Sequence, residues 1–170
     1  MSVISKDSSN SSIVSQLVSI VGADYVQDDE KAREFYSTDL SYTDGEVADV
    51  VVSPGNTDQL SQCLATAAAS GLPIVPRGGG MSYTMGYQPE QPSSVLIDMR
   101  RMNKIIDLNT EDMYVTVEAG CTWKDLYEQL MDGDVPVRTP YFGPLLCRVV
   151  AAKIVQKLIS HQPLFQHLPI

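Results

Sequence analysis

No apolar run in this 170-residue chain approaches the roughly 18 residues of a membrane-crossing helix. The opening stretch Met1 to Asn10 is polar and lacks the apolar centre of a signal peptide. The expectation is therefore a cytoplasmic protein without a membrane span. Cysteine is scarce: Cys63, Cys121 and Cys147 are odd in number and form no C-x-x-C pair. That argues against a disulfide framework and fits reduced, structural thiols. Histidine is confined to His161 and His167, which read as surface residues of a Pro-containing tail, so no metal site is expected. Twelve basic residues face 21 acidic ones, a net charge of −9. Nucleic-acid binding needs a basic surface, so that class of partner is excluded. Neither a catalytic dyad or triad nor an internal repeat is present, and no catalytic residue is assigned.

What is present suits one folded domain. Apolar residues make up 44% of the chain, enough for a core at this length. Ser8 to Ser12 reads as a disordered lead-in. Ser11 or Ser12 then caps a first helix carrying Ile13, Leu17, Ile20 and Val21. Val47 to Val52 is a β-branched strand stopped by Ser53-Pro54-Gly55. Asn56 or Thr57 caps a helix to about Ser70, with Leu60, Cys63, Leu64, Ala67 and Ala68 along one face, and Gly71 ends it. Leu72 to Val75 is the second strand of a β-α-β unit. Val95 to Asp98, Ile105 to Leu108 and Tyr114 to Glu118 follow as strands. Gly120 and Thr122 open a last helix bearing Trp123, Leu126, Tyr127 and Leu130.

The segment Pro76-Arg77-Gly78-Gly79-Gly80-Met81-Ser82-Tyr83-Thr84 is the candidate site. Three consecutive glycines put no side chain between a ligand and the backbone N–H groups, and they permit positive φ. Arg77 adds a fixed charge, and Ser82 and Thr84 add hydroxyl donors. Such a loop suits a phosphate, although a plain tight turn uses the same residues. It is not a Walker loop, because it has no lysine. The dinucleotide pattern G-x-G-x-x-G fails at Tyr83, and G-x-S-x-G fails at Thr84. Asp98 lies about where a ribose-binding acid would be expected. It reads instead as an ordinary strand-end carboxylate, because no helix pattern follows the glycines. Arg100, Arg101 and Lys104 read either as a local positive pocket or as a solvated turn.

Four segments occur in a familiar order. They are Val51-Val52-Ser53-Pro54, Gly71-Leu72-Pro73-Ile74-Val75-Pro76-Arg77-Gly78-Gly79-Gly80, Leu96-Ile97-Asp98-Met99-Arg100-Arg101-Met102 and Val117-Glu118-Ala119-Gly120-Cys121-Thr122-Trp123. Together they resemble the FAD-binding (PCMH-type) domain of the vanillyl-alcohol oxidase and p-cresol methylhydroxylase flavoproteins. Tyr36-Ser37-Thr38-Asp39-Leu40-Ser41 resembles the branch that oxidises 2-hydroxy acids, such as glycolate oxidase and D-lactate dehydrogenase. The resemblance covers roughly residues 20–144. It implies an α+β fold, with a small β-α-β unit beside a second, mostly antiparallel sheet and FAD between them. It implies that Pro76, Arg77, Gly78, Gly79, Gly80, Met81, Ser82 and Pro144 contact the cofactor. Some members carry a histidine bonded covalently to the flavin where Met81 stands. Methionine cannot form that bond, so FAD is expected to be non-covalent. The implied reaction is hydride transfer from a small substrate, a 2-hydroxy acid, to flavin. The alternatives are an inactive fragment and a phosphate-binding module without flavin.

The resemblance stops after Pro140-Tyr141-Phe142-Gly143-Pro144. The family's threonine-valine-glycine-glycine segment and its substrate-binding cap domain do not follow. Residues 1–144 hold 9 basic and 21 acidic residues, a net charge of −12, while residues 145–170 hold three basic residues and no acid. The tail reads either as an amphipathic helix with Val150, Ile154, Val155 and Leu158 on a face, or as a foreign end from a shifted frame or a misplaced gene boundary. The change of composition at the break favours the second. The expected organisation is a polar lead-in and the start of the first helix over 1–19, a partial FAD-binding domain over 20–144 and an atypical tail over 145–170.

Overall fold

The computed structural model describes residues 5–41, 45–109, 114–132 and 154–157. The chain divides into two compact units, residues 1–102 and 103–170. In the first unit, α1 (Ser5–Val21), β1 (Val26–Gln27), α2 (Glu30–Tyr36) and β2 (Val50–Val52) precede α3 (Thr57–Ala69), β3 (Ile74–Arg77) and β4 (Val95–Asp98). The sheet order is β1-β2-β4-β3; β4 runs parallel to both β2 and β3, and β1 is antiparallel to β2. The expected β-α-β unit is therefore present, but its two strands are not neighbours, because β4 enters between them. All four residues of β4 and all three of β2 are buried. Central parallel strands are covered on both faces, and this is why both are uninterrupted apolar runs up to Asp98.

Three readings need correction. The helix α1 begins at Ser5, so Ser8 to Ser12 is not a disordered lead-in. Ile13, Leu17 and Val21 recur every fourth residue and are buried. Once that stripe fixes a helix, each further polar residue adds one hydrogen bond for one fixed residue, which lets it extend backwards. The buried stripe of α3 is narrower than its sequence pattern: Cys63 and Ala67 are inside, Leu60 is half-buried, and Leu64 and Ala68 are exposed. The third strand ends at Arg77 rather than Val75, so Pro76 and Arg77 are strand residues, not loop residues. Proline tolerates that place because β3 is an edge strand, where a ladder N–H can be missing.

Caps behave as their chemistry dictates. Asn56 Oδ1 accepts from Gln59 N at 2.9 Å, and Asp29 Oδ1 accepts from Ala32 N at 3.0 Å. At the far end of α3, Gly71 takes φ +67°; its N–H donates to Ala68 O, and that of Leu72 donates to Ala67 O.

The second unit is a sheet of order β5-β6-β7, all antiparallel, from β5 (Ile105–Asn109), β6 (Tyr114–Val117) and β7 (Ile154–Lys157), with α4 (Trp123–Asp132). Val115, Val117, Cys121, Leu126 and Leu130 form its core, flanked by Ile105, Leu108 and Trp123. Thr122 and Asp125 form a reciprocal capping box, Asp125 N donating to Thr122 Oγ1 and Thr122 N to Asp125 Oδ2. The helical reading of the tail does not hold at residues 154–157, which form a strand on the open rim of β6. Ile154 and Val155 are β-branched and suit that rim. Pro144 and the rest of the tail lie outside the described residues.

Cys63 and Cys121 are free and wholly buried, and burial pushes both thiols up to about 11 from 9.0. Two pH units leave about one hundredth of the reactive thiolate. Iodoacetamide at pH ~8 is thus expected to alkylate Cys63 and Cys121 at least tenfold more slowly in the folded chain than in denaturant. Mass spectrometry of the two peptides measures the ratio, and equal rates would show that these thiols are open to solvent.

Candidate cofactor-binding loop

The strands β3 and β4 end side by side, Arg77 pairing with Asp98, and the glycine loop leaves from that end of β3. Ligands of parallel sheets gather at the carboxyl ends of strands, so the loop is where chemistry is expected. Gly78 is buried; Gly79, Gly80, Met81 and Ser82 are half-buried, and Thr84 is exposed. Among the described residues, none accepts a hydrogen bond from the N–H of Gly79, Gly80 or Met81. Partly buried amides left this way are donors waiting for an acceptor. Gly80 has φ +80°, a conformation that glycine alone adopts without strain.

Ser82 organises the next turn. Its Oγ accepts from Gly86 N at 3.0 Å and Thr84 N at 3.2 Å, and its carbonyl accepts from Leu40 N at 2.9 Å. The segment after α2 thereby holds the loop from one side. Within it, Asp39 Oδ1 accepts from Ser41 N at 2.8 Å. Burial works to raise the Asp39 pKa, but donors from Ser41, Ser82 and Met85 outweigh it and hold the carboxyl below its ordinary value.

Behind the glycines lies a charged cluster. Asp98 is 2% exposed. Both its oxygens accept from Arg100 Nε at 2.9 Å, Arg100 Nη2 lies 2.8 Å from Oδ2, and Ser53 Oγ donates at 3.2 Å. The hydrogen bonds to Asp98 raise the Arg100 pKa further, against a smaller opposing effect of burial, and Arg100 also donates to Tyr36 Oη. Arg101 lies over the Tyr25 ring and donates to Ser53 O at 2.6 Å. Arg100 and Arg101 are thus held in place by protein partners, neither a free positive pocket nor a solvated turn; only Lys104 of that trio is exposed.

Arg77 is 6% exposed. Its guanidinium lies 5.2 Å from the Tyr36 ring centre and 5.6 Å from those of Phe35 and Tyr87. Burial lowers its pKa, with the Asp98 charge opposing. Its Nε has no hydrogen-bond partner among the described residues. Arg77, Arg100 and Arg101 outnumber the carboxylates of Asp98 and Asp39, which leaves net positive charge around three N–H groups that have no partner among the described residues. That arrangement fits an anion. Among the described residues no group of His, Cys, Asp or Glu could hold a metal ion.

A model of the family described as FAD binding domain matches residues 48–139, more than half the chain and the whole of this loop. The chain belongs to the FAD binding domain family. This FAD-binding domain is 32% identical to glycolate oxidase subunit GlcD of Bacillus subtilis over 111 residues, covering 65% of this chain and 23% of that one. It is 33% identical to a probable mitochondrial D-lactate dehydrogenase of Danio rerio over 120 residues, covering 71% of this chain and 24% of the relative. Its fold matches that of p-cresol methylhydroxylase with substrate bound at TM-score 0.69 and 21% identity, over 82% of this chain and 28% of the other. The chain spans about a quarter of the length of these relatives. The expected α+β fold of PCMH type and the FAD cofactor are borne out.

Sequence reasoning placed the glycines but missed Tyr36, Phe35 and Tyr87 around Arg77, and Asp39 and Leu40 beside Ser82. No periodicity marks a ring that packs on a strand residue, whether from more than forty positions away, as Phe35 and Tyr36 do, or from beyond the loop, as Tyr87 does. The only signal was the resemblance of the 36–41 segment to the family.

Proposed function

We propose that the loop from Gly78 to Ser82, which follows Arg77, holds the pyrophosphate of FAD, without a covalent bond, in an oxidoreductase acting on a 2-hydroxy acid. The observation that carries this reading is the run of unpartnered N–H groups from Gly79 to Met81, set beside a net positive cluster at the ends of β3 and β4. The backbone donors bind the phosphates, the cluster supplies a favourable field, and Ser82 keeps the following turn in shape. FAD, when bound, accepts a hydride from substrate. The substrate class rests on the relatives named glycolate oxidase subunit and D-lactate dehydrogenase. Among the described residues, no helix is long and apolar enough to cross a membrane. We assign the protein to the cytoplasm on its reduced, buried thiols.

Titrating FAD into the chain while following flavin fluorescence tests the loop assignment; no binding at any accessible concentration sinks it. Anaerobic addition of glycolate, D-lactate or a simple alcohol to the FAD-loaded protein tests the substrate class: bleaching of the flavin by the 2-hydroxy acids alone supports it, and bleaching by the alcohol alone argues against it. The bond to flavin is tested separately. Met81 offers no nucleophile, so acid precipitation is expected to leave all flavin in the supernatant. Yellow colour retained in the washed pellet would overturn that expectation.

A further inference from the structure

Among the described residues, the Arg77 guanidinium has no carboxylate of its own. Asp98, its neighbour across the strand pair, is engaged on both oxygens by Arg100 and on one by Ser53. Three aromatic rings surround Arg77 instead, and Nε is left without an acceptor among the described residues. A flat cation among ring faces is held firmly and in one orientation. What it touches on its remaining side is the loop. A Cβ built on Gly80 would stand 2.5 Å from Arg77 Nη2 and 3.0 Å from Cζ. The backbone at Gly80 thus lies flush on the guanidinium, at the one position of the loop where φ is positive.

We propose that Arg77 is a positioning residue: caged by Phe35, Tyr36 and Tyr87, it shapes the glycine loop at Gly80 before any ligand arrives, and it acts on an anion through the loop backbone rather than by direct contact. The cage suits arginine rather than lysine, since an ammonium is compact and has no plane for Gly80 to lie on. The ligand-binding half of this proposal rests on the flavin reading; the shaping half does not.

Amide hydrogen exchange on the ligand-free chain tests the shaping directly. The N–H groups of Leu40, Thr84 and Gly86 are bonded to Ser82 and report the loop, while those of Leu96 and Ile97 in β4 report the core. Arg77→Lys is expected to speed exchange at the loop amides about tenfold while leaving the β4 amides within about twofold. Unchanged loop exchange would overturn the proposal, and so would equal acceleration of loop and core, which marks a merely structural arginine. If Arg77→Lys does not fold, Tyr87→Leu removes one wall of the cage and should show the same selective pattern. Failure of both to fold would place the cage in the core and also overturn the proposal. FAD titration then adds the second half: Arg77→Lys should bind no better than Arg77→Met, whereas rescue by lysine would indicate direct charge contact. A wild-type chain that binds no FAD would refute the flavin reading and leave the exchange result to decide on Arg77.

Discussion

Gly79→Val abolishes FAD binding and leaves the parallel sheet folded: that is the expected result with the largest effect on ligand affinity. Positive φ among the described glycines is confined to Gly22, Gly71 and Gly80, so φ at Gly79 does not exclude valine. Its branched side chain, stiff at χ1, would stand between the ligand and the N–H groups of Gly79 and its neighbours. A hydrogen bond to a charged acceptor contributes about 1.5–3 kcal/mol. Losing two of three costs about 3–6 kcal/mol, which is more than a hundredfold in Kd. Flavin fluorescence titration measures the loss, and circular dichroism checks the fold. Affinity within about threefold of wild type would show that the phosphates lie elsewhere. Gly80 is not the position for this test, because its substitution strains the backbone and strikes Arg77.

Asp98→Ala is expected to cause the largest loss of stability. Its carboxylate is the sole partner of opposite charge between Arg77 and Arg100 among the described residues, and its removal leaves two guanidiniums beside one another. Breaking a buried pair this way costs about 3–5 kcal/mol. The Arg100 side chain keeps 35% exposure, so solvent screens part of the loss and the lower figure applies. For a chain of this size, about 3 kcal/mol lowers Tm by roughly 6–12 °C. Thermal unfolding of the single variant and of Asp98→Ala/Arg100→Met measures it. The double variant should recover part of the loss, because it removes one stranded cation. A fall below about 1 kcal/mol would mean that water, not Asp98, balances the cluster.

Much of the fold could be read in the sequence. The runs at β2 and β4 are legible because central parallel strands are apolar throughout, and the ends of α3 and α4 because Asn56, Gly71 and Thr122 have one efficient use each. The insertion of β4 between β2 and β3 was not legible, since strand order is decided by packing among segments far apart in the chain. Neither β1 nor α2 was read: the first is two residues long, and the second is a single charged stretch whose buried member is Tyr36. At the site, the glycines were plain, because a backbone that must lie open to a ligand excludes side chains. The setting of Arg77 was not, because an arginine in sequence suggests a salt bridge or a solvent-facing charge, and its partners here are rings.

Pro76 has a bearing on how this domain meets other copies of itself. The four-stranded sheet ends on one side at β3, where an exposed proline interrupts the row of donors, and on the other at β1, which is two residues long. An unprotected rim of that kind recruits strands from neighbouring chains and seeds aggregation. Among the described residues neither rim offers a run long enough to template another strand, so the sheet protects itself against runaway polymerisation.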